Sequence, residues 1–327
     1  MVVCSFAQFA FRDSHNVDIG EVMKHLLGIN KLSKKDILDI IKLAKLIKQY
    51  PKRYAKKLEG KALGLVFEKP STRTRVSFQV AMTQMGGEAQ YLGPNDIKLG
   101  SREALRDEAR VLSRYWDAVA LRTFSHKTIE GFSDYSSSPV INALSDVSHP
   151  CQVLADYLTI QEHVASKEPI VAYLGDGNNV LTSLLFLFAK IGGHFHYCCP
   201  DKFKPSKSIM KEILAVAKTS GALIQEKSSP ASCIKYADVV YTDVWVSMGE
   251  EKIKKTKMKA FNGFQVNDKL LTKAQKKVYV MHCLPAHRGE EITDSVIESK
   301  RSIVFDQAEN RLHAQKAILL WLLKDSF

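Results

Sequence analysis

Five consecutive residues, Ser71-Thr72-Arg73-Thr74-Arg75, alternate hydroxyl and guanidinium groups. They follow the apolar run Ala62 to Phe67 and precede a segment with helix-like spacing, so they fall where a strand hands over to a helix. Backbone N–H groups at a helix start point outward; Pro70 suits that start, and Ser71 or Thr72 can cap it. With hydroxyls and a guanidinium fork added, the turn becomes a cradle for a tetrahedral oxyanion, most simply a phosphate. The same residues would also serve as a plain capped helix with two surface arginines. They are not a Walker loop, because the GxxxxGK[ST] pattern does not occur.

Other segments offer chemistry at comparable places. "ALRTF" puts Arg122 just past a strand-like run. "SDVSHPCQVLADYL" sets His149 and Gln152 three apart, with Pro150 starting a helix, so both side chains share one face and suit an amide or carbonyl. "VAYLGDGNNVLTSL" fails as a GxGxxG fingerprint, since Val180 stands where the third glycine belongs. Asn178 and Asn179 there offer neutral polar groups at a helix mouth, fitting a small polar molecule better than a dinucleotide. "YTDVWVSMGEE" places Asp243 at a strand end and Ser247-Met248-Gly249 on the next loop, while "VMHCLPAHRGEEI" presents Cys283 at another strand end. "AENRLHAQ" presents Arg311 at the start of the last helix.

These residues need rigid elements to bring them together. Strand-like runs are Ala62 to Phe67, Ala118 to Leu121, Val140 to Ala143, Ile170 to Leu174, Phe195 to Cys198, Val239 to Thr242, Val278 to Met281 and Ile303 to Phe305. Amphipathic stretches lie between them. In one, Ile37, Ile40, Ile41, Ala44 and Ile47 recur at helix spacing behind an N-cap at Ser33, with Asp36 three residues later. Such alternation predicts an α/β chain of two domains, each a parallel sheet flanked by helices. "SKEP" at Ser166 to Pro169 breaks the pattern between them, and the last helix, about Ala308 to Leu323, must bury most of its surface.

Composition narrows the class. The 327 residues are 45% hydrophobic and 25% charged, a soluble globular profile with room for two cores. No apolar run is long enough to span a bilayer, so no membrane partner is expected. The apolar start "MVVCSFAQFAF" lacks a basic lead and a small-residue cleavage site, and reads as an extension. A net charge of +12 admits a polyanion, yet the lysines are dispersed, and the clusters Lys52 to Lys57 and Lys252 to Lys259 read as solvated helix faces. Nucleic acid is therefore not expected as a partner; a small anionic substrate gains from the same field. Six cysteines without a CxxC pair fit reduced thiols in a cytoplasmic enzyme and no structural zinc.

Together, "STRTR", "HPCQ", "SMG" and "HCLP" resemble the aspartate/ornithine carbamoyltransferase family, over roughly Lys24 to Leu323. The last two motifs point within it to the ornithine carbamoyltransferases. The resemblance implies an N-terminal extension 1–23, a carbamoyl phosphate-binding domain 24–163, an ornithine-binding domain 164–305 and a C-terminal helix 306–327 packing back toward the first domain. It implies that Ser71, Thr72, Arg73, Thr74 and Arg122 hold the phosphate, and that His149, Arg122 and Thr74 polarise the carbonyl. Gln152 and the Leu284 carbonyl would hold the amide; Asn179, Asp243, Ser247 and the Met248 backbone would hold ornithine. Cys283 and Arg311 would complete the centre, with no cofactor and no metal. Lys98 stands in "NDIKLGSRE" where family members often carry Gln or His, and it would reach the site of a neighbouring subunit in a trimer or multiple of trimers.

The implied reaction forms citrulline and phosphate and serves arginine biosynthesis, although breakdown would use the same site. Attack of an amine on the carbamoyl carbon builds an oxyanion and then expels phosphate, so aimed donors and cations carry the catalysis. Cys283 is expected to contact ligand and not to act as a covalent nucleophile. Two alternatives stand beside this reading: a transferase for putrescine or acylated ornithine, and a non-catalytic binding protein on the same fold.

Overall fold

The computed structural model describes residues 23–323. All of the predicted extension but Met23, Cys4 included, and the last four residues of the predicted terminal helix lie outside that range. Two all-parallel sheets form the frame. The first contains β1 (Ala62–Phe67), β2 (Glu88–Leu92), β3 (Ala118–Arg122) and β4 (Val140–Leu144) in the order β2-β1-β3-β4. The second contains β5 (Ile170–Leu174), β6 (His194–Cys198), β7 (Leu223–Glu226), β8 (Val239–Thr242) and β9 (Tyr279–His282) in the order β7-β6-β5-β8-β9. Central strands such as β3 are buried along their whole length, as helices on both faces require.

Local chemistry sets the helix starts. Ser33 and Asp36 form the anticipated capping box ahead of Lys34–Gln49, whose isoleucines face the core. Ser71 caps Thr72–Gln84, accepting a bond from the Thr74 N–H. Asn178 caps Asn179–Ile191 through bonds from the N–H groups of Val180 and Leu181. In the GDG turn the glycine is needed for close packing: a Cβ on Gly177 would lie 2.4 Å from the Pro205 nitrogen.

The C-terminal helix Val304–Leu322 packs on Lys34–Gln49, Thr72–Gln84 and Pro150–His163, all elements flanking the first sheet. Ile318 and Leu319 on it are fully buried in a cluster that also holds Leu65 of β1 and Tyr173 of β5. This one helix therefore ties the two sheets into a shared core.

Three expectations need correction, and two strands went unread. Ile303 to Phe305 is not a strand: only Ser302 bridges to Val280, and the helix starts at Val304. A short apolar triplet fits a buried helix start as well as a strand. Consequently Arg311 sits about two turns inside the last helix and not at its start. Strands β2 and β7 escaped notice because, as edge strands, they are partly exposed and carry polar residues. Finally, Lys257 in the cluster expected to be solvated is 1% exposed, held by Asp176 at 2.7 Å and Glu250 at 2.6 Å.

Candidate active site

A cleft of about 610 Å³ opens beyond the carboxyl ends of the strands, where open α/β sheets place their ligands. It is lined by Ser71, Thr72, Arg73, Thr74, Arg122, His149 and Gln152 from the first half of the chain, and by Asn179, Asp243, Ser247, Met248, Cys283, Leu284 and Arg311 from the second. Lys98 lies outside it, exposed on its loop, and so does Asn178, which the sequence offered beside Asn179. Another cleft of about 680 Å³, around Cys199, Lys202 and Lys259, gathers none of the predicted residues.

One end of the cleft is strongly cationic. The first turn of Thr72–Gln84 supplies backbone N–H groups and Arg73. Its neighbour Arg75 turns away, stacking 4.0 Å over the Tyr91 ring. Arg122 closes β3 and is 5% exposed; burial, with Arg311 and Arg73 nearby, pulls its pKa down to about 10. Arg311 donates from Nη1 to Gln152 Oε1 at 2.5 Å and from Nη2 to Thr74 Oγ1 at 3.0 Å. The Nε atoms of both arginines and Nδ1 of His149 are buried without a partner among the described residues. Native structures seldom leave such groups alone, and a bound anion or carbonyl would satisfy them.

His149 occupies the N-cap position of Pro150–His163, anchored by its own N–H to Ser183 Oγ at 2.9 Å. Burial and the cations Arg311, Arg122 and Lys69 hold its pKa well below 6.5, so the imidazole is neutral. Lys69, directly before Pro70, also lines the cleft, and its pKa is lowered by burial and by Arg122. That lysine lies two residues before the Ser71 to Arg75 motif, and nothing in its spacing separated it from a surface cation.

The other end carries a carboxylate. Asp243 follows β8 and accepts from Asn178 Nδ2 at 2.7 Å, from the Val244 N–H at 2.8 Å and from Cys283 Sγ at 2.9 Å. Burial and that carboxylate push the Cys283 pKa well above its usual value, which makes a thiol and not a thiolate. Asn179 is oriented by a bond from Nδ2 to the Ser145 carbonyl at 2.5 Å. On the Ser247 loop, Glu250 accepts from the Ser247 N–H at 2.9 Å and is itself held by Lys257. Asn178, expected to face a ligand, instead caps its helix and supports Asp243, and Lys257 is a support the sequence did not mark.

Leu284 adopts a left-handed backbone, φ 58°, and precedes a cis bond to Pro285. Its N–H donates to His282 Nδ1 at 2.9 Å, while His282 Nε2 meets Glu291 Oε1 at 3.0 Å. Asp243, His282 and Cys283 place ligand-type atoms within 4.8 Å of one another. Both ring nitrogens of His282 are committed to those hydrogen bonds, so the trio serves as a scaffold for the loop and offers a metal no free imidazole.

Residues 24–162 match the aspartate/ornithine carbamoyltransferase carbamoyl-P binding domain, and residues 167–322 match the Asp/Orn binding domain of the same family. The chain is 51% identical to the ornithine carbamoyltransferase of Archaeoglobus fulgidus, over 92% of this chain and 98% of that protein. The structure superposes on that of ornithine carbamoyltransferase from Pyrococcus furiosus with a TM-score of 0.87 at 47% identity, covering 91% of this chain and 96% of that one. The anabolic ornithine carbamoyltransferase of Campylobacter jejuni gives a TM-score of 0.87 at 40% identity, covering 93% and 100%. The chain belongs to the aspartate/ornithine carbamoyltransferase family.

Proposed function

We infer that this chain transfers the carbamoyl group of carbamoyl phosphate to the δ-amine of L-ornithine, giving L-citrulline and phosphate. The observation that carries this reading is the polarity of the cleft, with Arg73, Arg122 and Arg311 at one end and Asp243 at the other. A dianionic donor fits the first end, and an α-ammonium fits the second. Attack by the neutral δ-amine pushes charge onto the carbamoyl oxygen, where Arg122, the Thr74 hydroxyl and the uncharged His149 ring stabilise it. Gln152 Oε1 and the Leu284 carbonyl accept from the carbamoyl amide. Phosphate leaves onto Ser71, Thr72, Arg73 and the helix start.

Asn179, Asp243, Ser247 and the Met248 backbone orient ornithine so that its δ-amine faces the carbamoyl carbon. Cys283, a protonated thiol beside Asp243, contacts ligand and forms no covalent intermediate. The enzyme works in the cytoplasm as a homotrimer or a multiple of trimers, and Lys98 serves a neighbouring subunit's phosphate site. Its exposure outside its own chain's cleft supports that assignment. The test is citrulline formation from carbamoyl phosphate with ornithine, putrescine and N-acetylornithine as acceptors. Turnover with ornithine far above the other two is expected; equal or preferred use of either amine refutes the acceptor assignment.

A further inference from the structure

Asp156 lies one turn beyond Gln152 on the Pro150–His163 helix and is fully buried. Among the described residues it has no salt-bridge partner; three neutral donors surround it. Gln152 Nε2 reaches Oδ1 at 2.8 Å, Gln307 Nε2 reaches the same oxygen at 2.7 Å, and Tyr241 OH reaches Oδ2 at 3.0 Å. Burial pushes the Asp156 pKa up to about 6, against the hydrogen bonds and the Arg311 cation that pull it down. A carboxyl whose folded pKa lies above its unfolded value loses stability as pH rises between the two, so at neutral pH its charge weakens the fold.

The charge therefore needs another reason, and the polarity of its neighbours supplies one. An ionised carboxylate only accepts hydrogen bonds, so each glutamine must turn its amide nitrogen toward it. The two amide oxygens are then forced outward. Gln152 Oε1 is presented to Arg311 and the cleft, and Gln307 Oε1 accepts from the His282 N–H at 2.9 Å, beside Cys283. Tyr241, the third donor, stands two residues before Asp243 on β8.

We propose that Asp156 is a positioning residue for both substrates, fixing Gln152 with its oxygen toward the carbamoyl amide and holding the strand ends that carry Asp243 and Cys283 against the donor half. The proposal rests on the reading that Gln152 Oε1 accepts from that amide. With a neutral side chain at this position, Arg311 alone still orients the Gln152 carboxamide; in the reversed conformer its N–H groups would face the N–H groups of the substrate amide.

Three proteins test this: wild type, Asp156→Asn, and Asp156→Asn combined with Gln152→Glu. Thermal midpoints and the kcat and KM for both substrates are measured at neutral pH. Asp156→Asn is expected to melt no lower than wild type while its KM for carbamoyl phosphate rises about tenfold or more. In the double variant the introduced asparagine donates its amide to the introduced carboxylate, whose second oxygen again faces the cleft, so that KM falls back toward wild type. An unchanged KM in Asp156→Asn overturns the proposal, and so does a double variant with no recovery. A markedly less stable or unfolded Asp156→Asn protein also overturns it, since the carboxylate would then be structural. A wild type that forms no citrulline instead refutes the acceptor reading, which separates the two failures.

Discussion

Arg311 and Thr74 stand 237 positions apart in the chain and 3.0 Å apart in space, joined by a hydrogen bond from Nη2 to the threonine hydroxyl. The same guanidinium holds the Gln152 oxygen through Nη1. A single side chain from the last helix thus sets two groups on separate helices of the donor half. Its planar fork does this with fixed spacing, which a lysine ammonium lacks.

Arg73→Ala is expected to lower kcat/KM by about 10²–10³-fold, since the departing phosphate loses a charge-assisted donor at the helix start. Arg73→Lys should recover little. Steady-state assays of both variants check this, and near-normal turnover in Arg73→Ala would make the arginine a surface residue beside a helix cap.

The pH profile should be governed by the substrate. The δ-amine of ornithine resembles a lysine amine with a pKa of about 10.4, and only its neutral form attacks. Between about pH 7 and pH 9 the His149 ring stays neutral, because its pKa is held well below 6.5, and Cys283 stays a thiol, because its pKa is pushed well above 9.0. The logarithm of kcat/KM for ornithine should therefore climb with near-unit slope from about pH 7 and bend over only where the α-ammonium that meets Asp243 begins to lose its proton. Cys283→Ser should keep the slope; a flat profile would exclude a free amine as nucleophile.

Putrescine lacks the α-carboxylate, so it would leave donors of the Ser247 loop unpaired. Sites built on hydrogen bonds reject such analogues by about 10⁴-fold, and a comparable gap in kcat/KM is expected here. Asp243→Ala should lower kcat/KM for both amines and leave the gap largely in place, since putrescine keeps the ammonium that meets Asp243, while also releasing Asn178 and Cys283.

Lys98 can be tested by complementation. Inactive Lys98→Ala and Arg122→Ala proteins are dissociated, mixed and reassembled. If each site takes Lys98 from one subunit and Arg122 from another, roughly a quarter of all sites regain function at equal mixing. No recovery would place both residues in one chain's site, and full activity of Lys98→Ala alone would end its catalytic assignment.

Much of the site was legible because its residues sit at strand ends and helix starts, which apolar runs, Pro70, Pro150 and capping residues mark in the sequence. Fourteen of the predicted residues line one cleft, most of them for that reason; Arg311, two turns inside its helix, is brought there by the packing of that helix. What stayed hidden depends on distant partners. Lys257 looks like any lysine in a basic helix until Asp176 and Glu250 close around it. Asp156 reads as one polar residue on a buried helix, because Tyr241 and Gln307 reach it from 85 and 151 positions away. The strands β2 and β7 were missed for a different reason: an exposed edge does not demand an apolar run.

The route of the C-terminal helix also orders events in time. Every strand of the donor half precedes residue 145, yet Arg311, which braces Thr74 and Gln152, is synthesised only after all of β5 to β9. A growing chain can therefore complete the first sheet while the cationic end of the cleft still lacks one of its arginines. On the proposed reading, in which Arg311 helps hold the donor, a half-made chain would bind carbamoyl phosphate weakly. The cleft itself is complete only when the segment carrying Arg311 has left the ribosome and folded back across both sheets.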